Sequence, residues 1–462
     1  MEKPFVSVII VNYNGKRYLS ACLDGLRAQA YPEQAYEVVV SDNGSSDGSL
    51  ELLQSVYPWV RVLANGRNLG FASGNNVAIH ATQGKYAVLL NNDTVPAPDW
   101  LEHLVQVAET NPSAGLVTGR LQLYYPQVIL RLETEAFSPP EDDRQLGVQI
   151  YQVQTGLEKG VVQYLQGFFG REGSRSGQIF RWTQGQALLG IPVPDRDGAW
   201  RINLRLAAAG RPGSSVPLRI SAGGIPLADW HVSGEYPHDF SLELPAEVRL
   251  LARPLVQNTG SIIFSNGASR DRGTYVAGTE VLFELDEDQY NQVEEVFAGC
   301  GANLLLRRQM LEQVGLFDDD FFMYYEDTDL SWRARLFGWQ VLYAPEALVR
   351  HIHCGTSEEW SPFFTYHVER NHLAMVFKNG SWRQIRRTWL NYPGSLVKNL
   401  LRLSVSLLRR GQWRSYAGQV KKQARVLGSL LVWLPMLLRK RSWIQRRRQA
   451  NAGQMEAWFT GS

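Results

Sequence analysis

The chain has few cysteines, no long apolar run and a long stretch without acidic residues. Its 462 residues include only Cys22, Cys300 and Cys354, which are too far apart for a disulfide framework or a zinc knuckle. No apolar run reaches the roughly 18 residues that a membrane-spanning helix needs. The chain enters a strand-like run at Phe5 without the regions of a signal peptide. These absences predict a cytoplasmic protein in a reducing compartment.

The charges are divided unevenly along the chain. Between Lys378 and Met455 there are 18 Lys or Arg residues and no Asp or Glu. Removing these 18 from the 47 basic residues leaves 29 basic against 45 acidic residues, a net charge of −16. Because the basic stretch is also helical and rich in tryptophan, we expect residues 382–450 to contact an anionic membrane surface. The alternative is a helical appendage that packs on the body. We expect no nucleic-acid partner.

Apolar runs alternate with helical patterns in the first part of the chain. Strands are predicted near 5–11, 37–41, 60–63 and 85–90, with helical patterns between them. This alternation indicates an α/β fold with a doubly wound, mostly parallel sheet. From 131 to 251 short alternating segments and Pro, Gly or Asp turns indicate a β-sandwich instead. We therefore predict a discontinuous α/β domain of 1–130 and 252–380, an inserted β-sandwich domain of 131–251, and a basic helical region of 381–462.

Polar residues follow the predicted strands, where ligands bind in doubly wound sheets. Asp42 ends the second strand and opens a Gly/Ser-rich loop, so its carboxylate can accept a hydrogen bond from a base or a ribose. An Asx turn is the alternative. The segment 68–76 (NLGFASGNN) contains glycines that permit close backbone approach to a ligand, although helix packing also explains them.

Two further segments offer ligands for a metal ion. Asn91-Asn92-Asp93 ends the fourth strand, and one carboxylate with amide oxygens suits a hard divalent ion that keeps positions for substrate phosphates. The alternative is a plain strand-end turn. His351 and His353 follow a later strand, and a histidine joined to carboxylates favours Mn²⁺ over Ca²⁺. Each histidine alone is more often structural.

The segment from Phe321 to Arg333 places three carboxylates directly after an aromatic run. Glu326, Asp327 and Asp329 lie where a helical pattern begins. A desolvated acid beside aromatic side chains can be tuned to act as a base. The alternative is an acidic first turn, which the helix dipole favours in any case.

Taken together, these segments resemble a family 2 glycosyltransferase of the GT-A fold, in its rhamnosyltransferase-like branch. The resemblance covers about 1–127 and 253–380, and it is specific as an ordered set. The matching segments are VSVIIVNYNG at 6–15, VVVSDNGSSDGS at 38–49, NLGFASGNN at 68–76, LLNNDT at 89–94, FAGCGANLLLRRQMLEQVGLFDDDFFMYYEDTDLSWRARLFGW at 297–339 and YAPEALVRHIHCGTS at 343–357.

For the donor site, the resemblance implies that Asp42 holds the nucleotide base, with Asn12 and Asn68 beside it. The glycine-rich segment that begins at Asn68-Leu69-Gly70 belongs to the same nucleotide-sugar site. Asn91, Asn92 and Asp93 correspond to the metal-binding triplet, in which Asp93 is the metal ligand. His351 completes the site for the metal and the diphosphate. The implied cofactor is Mn²⁺ or Mg²⁺.

For the chemistry, the resemblance implies that Asp327 is the general base and that Glu326 binds the acceptor. The implied reaction is inverting transfer from dTDP-rhamnose or a UDP-sugar to a lipid-linked or cell-surface glycan, at the inner face of the cell membrane. Asn91 departs from the family, because many members have Asp there, and the inserted β-domain is a second departure. Two alternatives remain: a non-catalytic glycan-binding or scaffold protein on a decayed transferase fold, and a nucleotidyltransferase.

Overall fold

The chain forms two compact units in a computed structural model that describes residues 3–139, 142–174, 177–208, 215–278, 280–352, 361–408 and 413–460. The first unit contains Met1–Leu121, Asn258–Arg272 and Tyr290–Ser462, and the second contains Gln122–Gln257 and Gly273–Gln289. Two residues named above, His353 and Cys354, lie outside the described residues.

The helices are α1 (Lys16–Arg27), α2 (Ser49–Val56), α3 (Gly70–Ala81), α4 (Trp100–Thr110), α5 (Arg308–Val314), α6 (Glu326–Leu336), α7 (Pro362–Asn379), α8 (Trp382–Leu408), α9 (Trp413–Arg447) and α10 (Ala452–Ala457). The strands are β1 (Val6–Asn12), β2 (Tyr36–Asp42), β3 (Arg61–Ala64), β4 (Tyr86–Leu90), β5 (Thr94–Pro96), β6 (Ala114–Leu123), β7 (Gln127–Thr134), β8 (Gln149–Gln154), β9 (Gln163–Phe168), β10 (Glu172–Gly173), β11 (Ile179–Pro192), β12 (Trp200–Ala207), β13 (Ser215–Ala222), β14 (Ile225–Ser233), β15 (His238–Leu244), β16 (Leu255–Asn258), β17 (Ser261–Phe264), β18 (Ser269–Asp271), β19 (Thr274–Ala277), β20 (Glu280–Leu285), β21 (Glu294–Glu295), β22 (Asn303–Arg307), β23 (Gln340–His351) and β24 (Phe459–Thr460).

The main sheet of the first unit is mixed. Its strands follow the order β6-β22-β4-β1-β2-β3. The four strands β4, β1, β2 and β3 are parallel, as the alternation of strand and helix patterns predicts. Strand β22 runs antiparallel to both β4 and β6. The carboxyl ends of β1, β2 and β4 therefore meet at one edge of the sheet.

Side-chain alternation along these strands creates a core on each face of the sheet. In β1, Val8 and Ile10 belong to one apolar cluster, which α1 and α4 cover. Ile9 points the other way, into a cluster that includes residues of α3, α6 and α7. Because both faces are buried, these strands are nearly continuous apolar runs.

The last helices of the chain contribute to the second of these cores. Val426, Leu430, Leu437 and Ile444 of α9 are buried in the same cluster as Leu330 of α6. After α10, the short strand β24 pairs in parallel with β17. The basic region thus packs on the body of the first unit with one face. Within the described ranges, no helix combines the length and the apolar character needed to cross a bilayer.

The second unit contains an antiparallel sheet of nine strands, with the main order β14-β13-β7-β11-β8-β12-β15. The long strand β11 is shared, because Arg181 and Trp182 pair with β8 while its later residues pair with β7. Inward-facing residues such as Leu189, Ile202 and Leu218 form one core between the part of the sheet that contains β7 and the part that contains β8. This unit begins at Gln122 and also includes Gly273–Gln289, whereas the sequence pattern placed its limits at 131 and 251. The hairpin of β19 and β20 accounts for part of the difference, since β20 pairs with β16.

A buried ionic cluster connects three helices of the first unit. The Lys378 ammonium group of α7 is 1% exposed and contacts Asp318, and its Nζ lies 3.0 Å from Oδ1 of Asp329 in α6. Lys440 of α9 lies 2.5 Å from the other oxygen of Asp318. Burial alone raises a carboxyl pKa, but the two lysines outweigh it and hold the pKa of Asp318 well below its ordinary value. Arg333 also pairs with Asp329, at 2.9 Å.

We expect Lys378→Met to destabilise the protein by about 3–5 kcal/mol, because it leaves two buried carboxylates short of a partner. Lys422→Met is the matched control, since Lys422 pairs with Glu369 where both side chains are a quarter or more exposed. That change should cost at most about 1 kcal/mol. The measurement is the melting temperature of both variants, and equal losses would contradict the importance of the buried cluster.

Candidate active site

A cleft of about 300 Å³ lies in the first unit at the carboxyl ends of β1, β2 and β4. Seven of the ten predicted site residues line it, namely Asn68, Gly70, Asn91, Asn92, Glu326, Asp327 and His351. The other three, Asn12, Asp42 and Asp93, are buried next to lining residues. The fold thus brings residues from six separate sequence segments to one place.

Asp42 is fully buried, and its carboxylate organises the loop that follows β2. Oδ1 accepts from the backbone N–H groups of Gly44 and Ser45 at 3.0 and 2.9 Å. Oδ2 accepts from the Ser45 hydroxyl at 2.7 Å and from Asn12 Nδ2 at 2.9 Å. The geometry therefore includes the Asx-type turn that was the alternative for this residue. A base contact requires one of these hydrogen bonds to be exchanged.

A chain of amides connects the first and fourth strands below the cleft. Asn92 donates from Nδ2 to Oδ1 of Asn12 at 2.8 Å, and Asn12 in turn donates to Asp42. The backbone of Gly15 lies directly against the Asn92 side chain, because a Cβ at position 15 would lie 2.0 Å from Asn92 Nδ2. Any larger residue at position 15 would displace Asn92 from its place in the lining.

The glycine-rich segment contacts the loop that carries the carboxylates. Gly70 has a φ of 79°, and a Cβ there would lie 2.5 Å from the carbonyl oxygen of Phe322. That carbonyl accepts from the backbone N–H groups of Phe71 and Ala72, at 2.7 and 3.2 Å. Asn68 Oδ1 accepts from the N–H of Gly70 at 2.9 Å. Glycine is required here by both conformation and close approach.

The turn before α6 is strained. Phe322, Tyr324 and Tyr325 have φ values of 65°, 72° and 67°, which are unfavourable for bulky residues. Asn371 of α7 is fully buried and donates from Nδ2 to the carbonyl oxygens of Phe321, Met323 and Tyr324 at 2.8–3.0 Å. These contacts hold the turn in its unfavourable conformation and so determine where α6 begins.

Sequence reasoning missed Asn371, and its only signal was an asparagine inside a helix pattern. Asparagine is unfavourable in helix interiors unless its side chain bonds elsewhere. Asn43 was also missed, although it lines the cleft and donates to the carbonyl oxygen of Gly70 at 2.9 Å.

Asp327 lies in the first turn of α6, at the wall of the cleft. Burial raises the pKa of its carboxyl group, although three donors oppose this effect. The N–H of Gly301 donates to Oδ2 at 3.0 Å, and Thr328 donates to Oδ1 through its N–H at 2.6 Å and its hydroxyl at 3.2 Å. An oriented carboxylate with a raised pKa has the properties of a general base.

Glu326 differs from its neighbour although both line the cleft. Its Oε2 atom is buried and receives no hydrogen bond from the described residues. Burial first, and then the charge of Asp327, raise the pKa of Glu326 well above its ordinary value. The neutral acid is therefore favoured, and its O–H can donate to a bound hydroxyl or ether oxygen.

Cys300 lines the same cleft as a free thiol. Burial, reinforced by the nearby Asp327, raises its pKa well above the ordinary value. Because the thiolate is the reactive form, this side chain is a poor nucleophile where it lies.

Asp93 and His351 come together from β4–β5 and the end of β23. Their Oδ1 and Nε2 atoms are 3.2 Å apart, yet Oδ1 of Asp93 is buried and accepts no hydrogen bond within the described ranges. Asn91 and Asn92 line the cleft beside them. No group of three or more His, Cys, Asp or Glu ligands is found among the described residues. The pair fits a divalent ion that takes its remaining ligands from substrate phosphates and water.

Two family models match the chain. Glycosyl transferase family 2 matches residues 7–155, and Glycosyl transferase family group 2 matches residues 243–444. Between them they contain all ten predicted site residues.

Two of the curated relatives each match about a quarter of the chain. Glycosyltransferase AglE of Haloferax volcanii is 34% identical over 126 residues, which are 27% of this chain and 41% of that protein. N-acetylglucosaminyl-diphospho-decaprenol L-rhamnosyltransferase of Mycobacterium tuberculosis is 32% identical over 115 residues, or 25% of this chain and 37% of that protein. The chain thus spans about two fifths of the length of these relatives.

Among solved structures, the mannosyltransferase PcManGT from Pyrobaculum calidifontis in complex with GDP-Man and Mn²⁺ is 12% identical, with a TM-score of 0.40. The match covers 94% of this chain and 88% of that one. A likeness at this level transfers no property. The two family models together match most of the residues, and they support the assignment of this chain as a family 2 glycosyltransferase.

Proposed function

We propose that this chain transfers a sugar, with inversion, from a nucleotide-sugar donor to a hydroxyl group of a glycan acceptor. The observation that carries the proposal is the composition of the cleft. A half-buried, oriented carboxylate with a raised pKa, Asp327, lines the same cleft as His351, whose Nε2 atom lies 3.2 Å from Oδ1 of Asp93. The first group suits a proton acceptor, and the other two suit the binding of a divalent cation whose charge would neutralise a diphosphate.

In the proposed reaction the acceptor hydroxyl loses its proton to Asp327. The oxygen of the acceptor hydroxyl then forms a bond to the anomeric carbon of the donor sugar. At the same time the bond from that carbon to the diphosphate oxygen breaks, and the diphosphate keeps the electron pair. Glu326, as the neutral acid, holds the acceptor by donating a hydrogen bond. Asp93 and His351 would hold Mn²⁺ or Mg²⁺, and the positive charge of the ion would favour departure of the diphosphate.

The nucleotide half of the proposed site lies at the ends of β1 and β2. Asn43 and Asn68 line the cleft and offer amide groups to a base or a ribose. Asp42 shapes the loop below them and meets the base by exchanging one of its four hydrogen bonds. We propose dTDP-rhamnose or a UDP-sugar as donor, in line with the rhamnosyltransferase among the relatives.

We further propose a lipid-linked or cell-surface glycan as acceptor and a peripheral position at the inner face of the cell membrane. The support is the basic region 382–450, in which no acidic residue occurs. Each Lys or Arg side chain near the surface of an anionic membrane contributes about 1 kcal/mol of favourable free energy to binding.

The melting temperature of the protein is measured with dTDP, UDP, GDP and CDP, each with and without Mn²⁺. We expect one nucleotide to raise the melting temperature in a metal-dependent way, because ligands that bind only the native state stabilise it. His351→Ala should abolish the metal dependence. The matched control His80→Ala, at an exposed position of α3, should keep it. If no nucleotide shifts the wild type, the non-catalytic glycan-binding alternative is favoured, with Asn91 as the first position to examine.

Asp327→Asn should reduce kcat by about 10²–10⁴-fold, the usual contribution of a general base. Its nucleotide-induced melting shift should be unchanged, because Asp327 acts on the acceptor and not on the donor. Asp229→Asn, at an exposed position of the second unit, is the matched control and should retain full activity. Normal turnover by Asp327→Asn would show that another group is the base.

Thr328→Val should move the acidic limb of the pH–rate profile to higher pH. Asp327 must be ionised to accept a proton, so activity is present above its pKa and is lost as the pH falls through it. The Thr328 hydroxyl stabilises the carboxylate, and its removal raises the pKa further while the shape of the side chain is kept. The profile of kcat/KM checks this, and an unmoved or lowered limb would contradict the assignment.

A further inference from the structure

The outward face of α8 is apolar although it is exposed. Leu390, Val397, Leu401 and Val405 are 67%, 56%, 64% and 49% exposed. Their spacing of seven, four and four residues places them in one row along the helix. We call this row the apolar stripe. It lies within a 27-residue helix whose first turns carry exposed arginines at 383, 386 and 387.

The inward face of the same helix is partly polar. Asn399 is 7% exposed and donates to Oε1 of Gln423 in α9 at 3.1 Å, and Gln423 donates to the Ser395 hydroxyl at 3.1 Å. A helix pair in water normally buries its apolar side chains and exposes its polar ones. At this contact between α8 and α9 the buried side chains are polar while apolar side chains of α8 are exposed, an arrangement also found where helices meet lipid on the outside and hydrogen-bond to each other inside.

The neighbouring helix α9 adds exposed apolar side chains of its own. Leu431 and Val432 are 69% and 80% exposed, while Val426 and Leu430, a few residues earlier, are buried in the core. One face of α9 therefore anchors to the body of the first unit, and another is left apolar and exposed. Exposed basic residues also occur on α8 and α9, at 398, 402, 414, 421 and 425, and no acidic residue occurs between Lys378 and Met455. What covers these faces is therefore expected to be anionic as well as apolar.

We infer that the apolar stripe of α8 inserts into the acyl-chain layer of an anionic membrane. The chain would then be held by buried apolar area as well as by charge, with the basic side chains at the headgroups. Helices of this kind lie in the plane of the interface with one face immersed. The inference builds on the proposed transfer to a lipid-linked acceptor and specifies the surface that brings the cleft to such an acceptor.

The test separates apolar insertion from attraction by charge. The full chain is mixed with vesicles of phosphatidylcholine and phosphatidylglycerol in equal parts and sedimented at low salt and at about 1 M salt, where the Debye length falls to about 3 Å. The wild type should remain on the vesicles at high salt. The triple variant Val397→Gln, Leu401→Gln, Val405→Gln should bind at low salt and be released at high salt, with a fall of at least tenfold in its partition, or about 1.4 kcal/mol. Glutamine is a better helix former than valine, so α8 should persist.

The matched control changes three exposed apolar residues elsewhere, Val56, Tyr236 and Leu250, to Gln and should partition like the wild type. Release of the wild type by salt as complete as that of the triple variant would overturn the inference. So would a lipid-free wild-type dimer that becomes a monomer in the triple variant, because a second copy would then cover the stripe. The vesicle assay contains no donor, so its result is independent of whether the chain transfers sugar.

Discussion

The cleft depends on one strained turn. Three bulky residues with positive φ precede α6, and without an external hold this backbone would relax at a gain of about 1–3 kcal/mol for each residue. Asn371 supplies that hold by donating to the carbonyl oxygens of Phe321, Met323 and Tyr324 in the turn. The same turn presents the Phe322 carbonyl to the start of α3, so the glycine-rich segment and the carboxylates are fixed relative to each other by one local conformation.

The three acids of α6 differ in chemistry because their surroundings differ. Glu326 has an unsatisfied oxygen and a raised pKa, which favours a neutral donor. Asp327 accepts hydrogen bonds from the N–H groups of Gly301 and Thr328, and these stabilise its carboxylate form. Asp329 points into the ionic cluster, where Arg333 and Lys378 neutralise it, so it stabilises the helix and does not face the cleft. One turn of helix thus carries an acceptor-binding acid, a candidate base and a structural anion.

The sequence was sufficient for the parts that depend on pattern and order. Apolar runs predicted the parallel strands, and strand ends predicted where Asn12, Asp42 and Asp93 would lie. It was not sufficient for contacts between distant segments. Asn371 has no local signature of its function, since its three carbonyl partners lie about 50 residues earlier in the chain. The saturation of Asp42 was equally hidden, because it depends on the conformation of residues 43–45 and on Asn12.

The C-terminal helices connect the candidate site to the proposed membrane surface through a continuous set of contacts. Lys440 of α9 and Lys378 of α7 share the carboxylate of Asp318, and Lys378 also holds Asp329, two residues from Asp327. The same α9 packs against α8, which carries the apolar stripe. Because α9 is anchored in the core on one side and its Lys440 shares Asp318 with Lys378, these contacts link α9 to α6, the helix that carries the candidate base. The position of the cleft relative to the apolar stripe is then set by this packing of helices within the first unit.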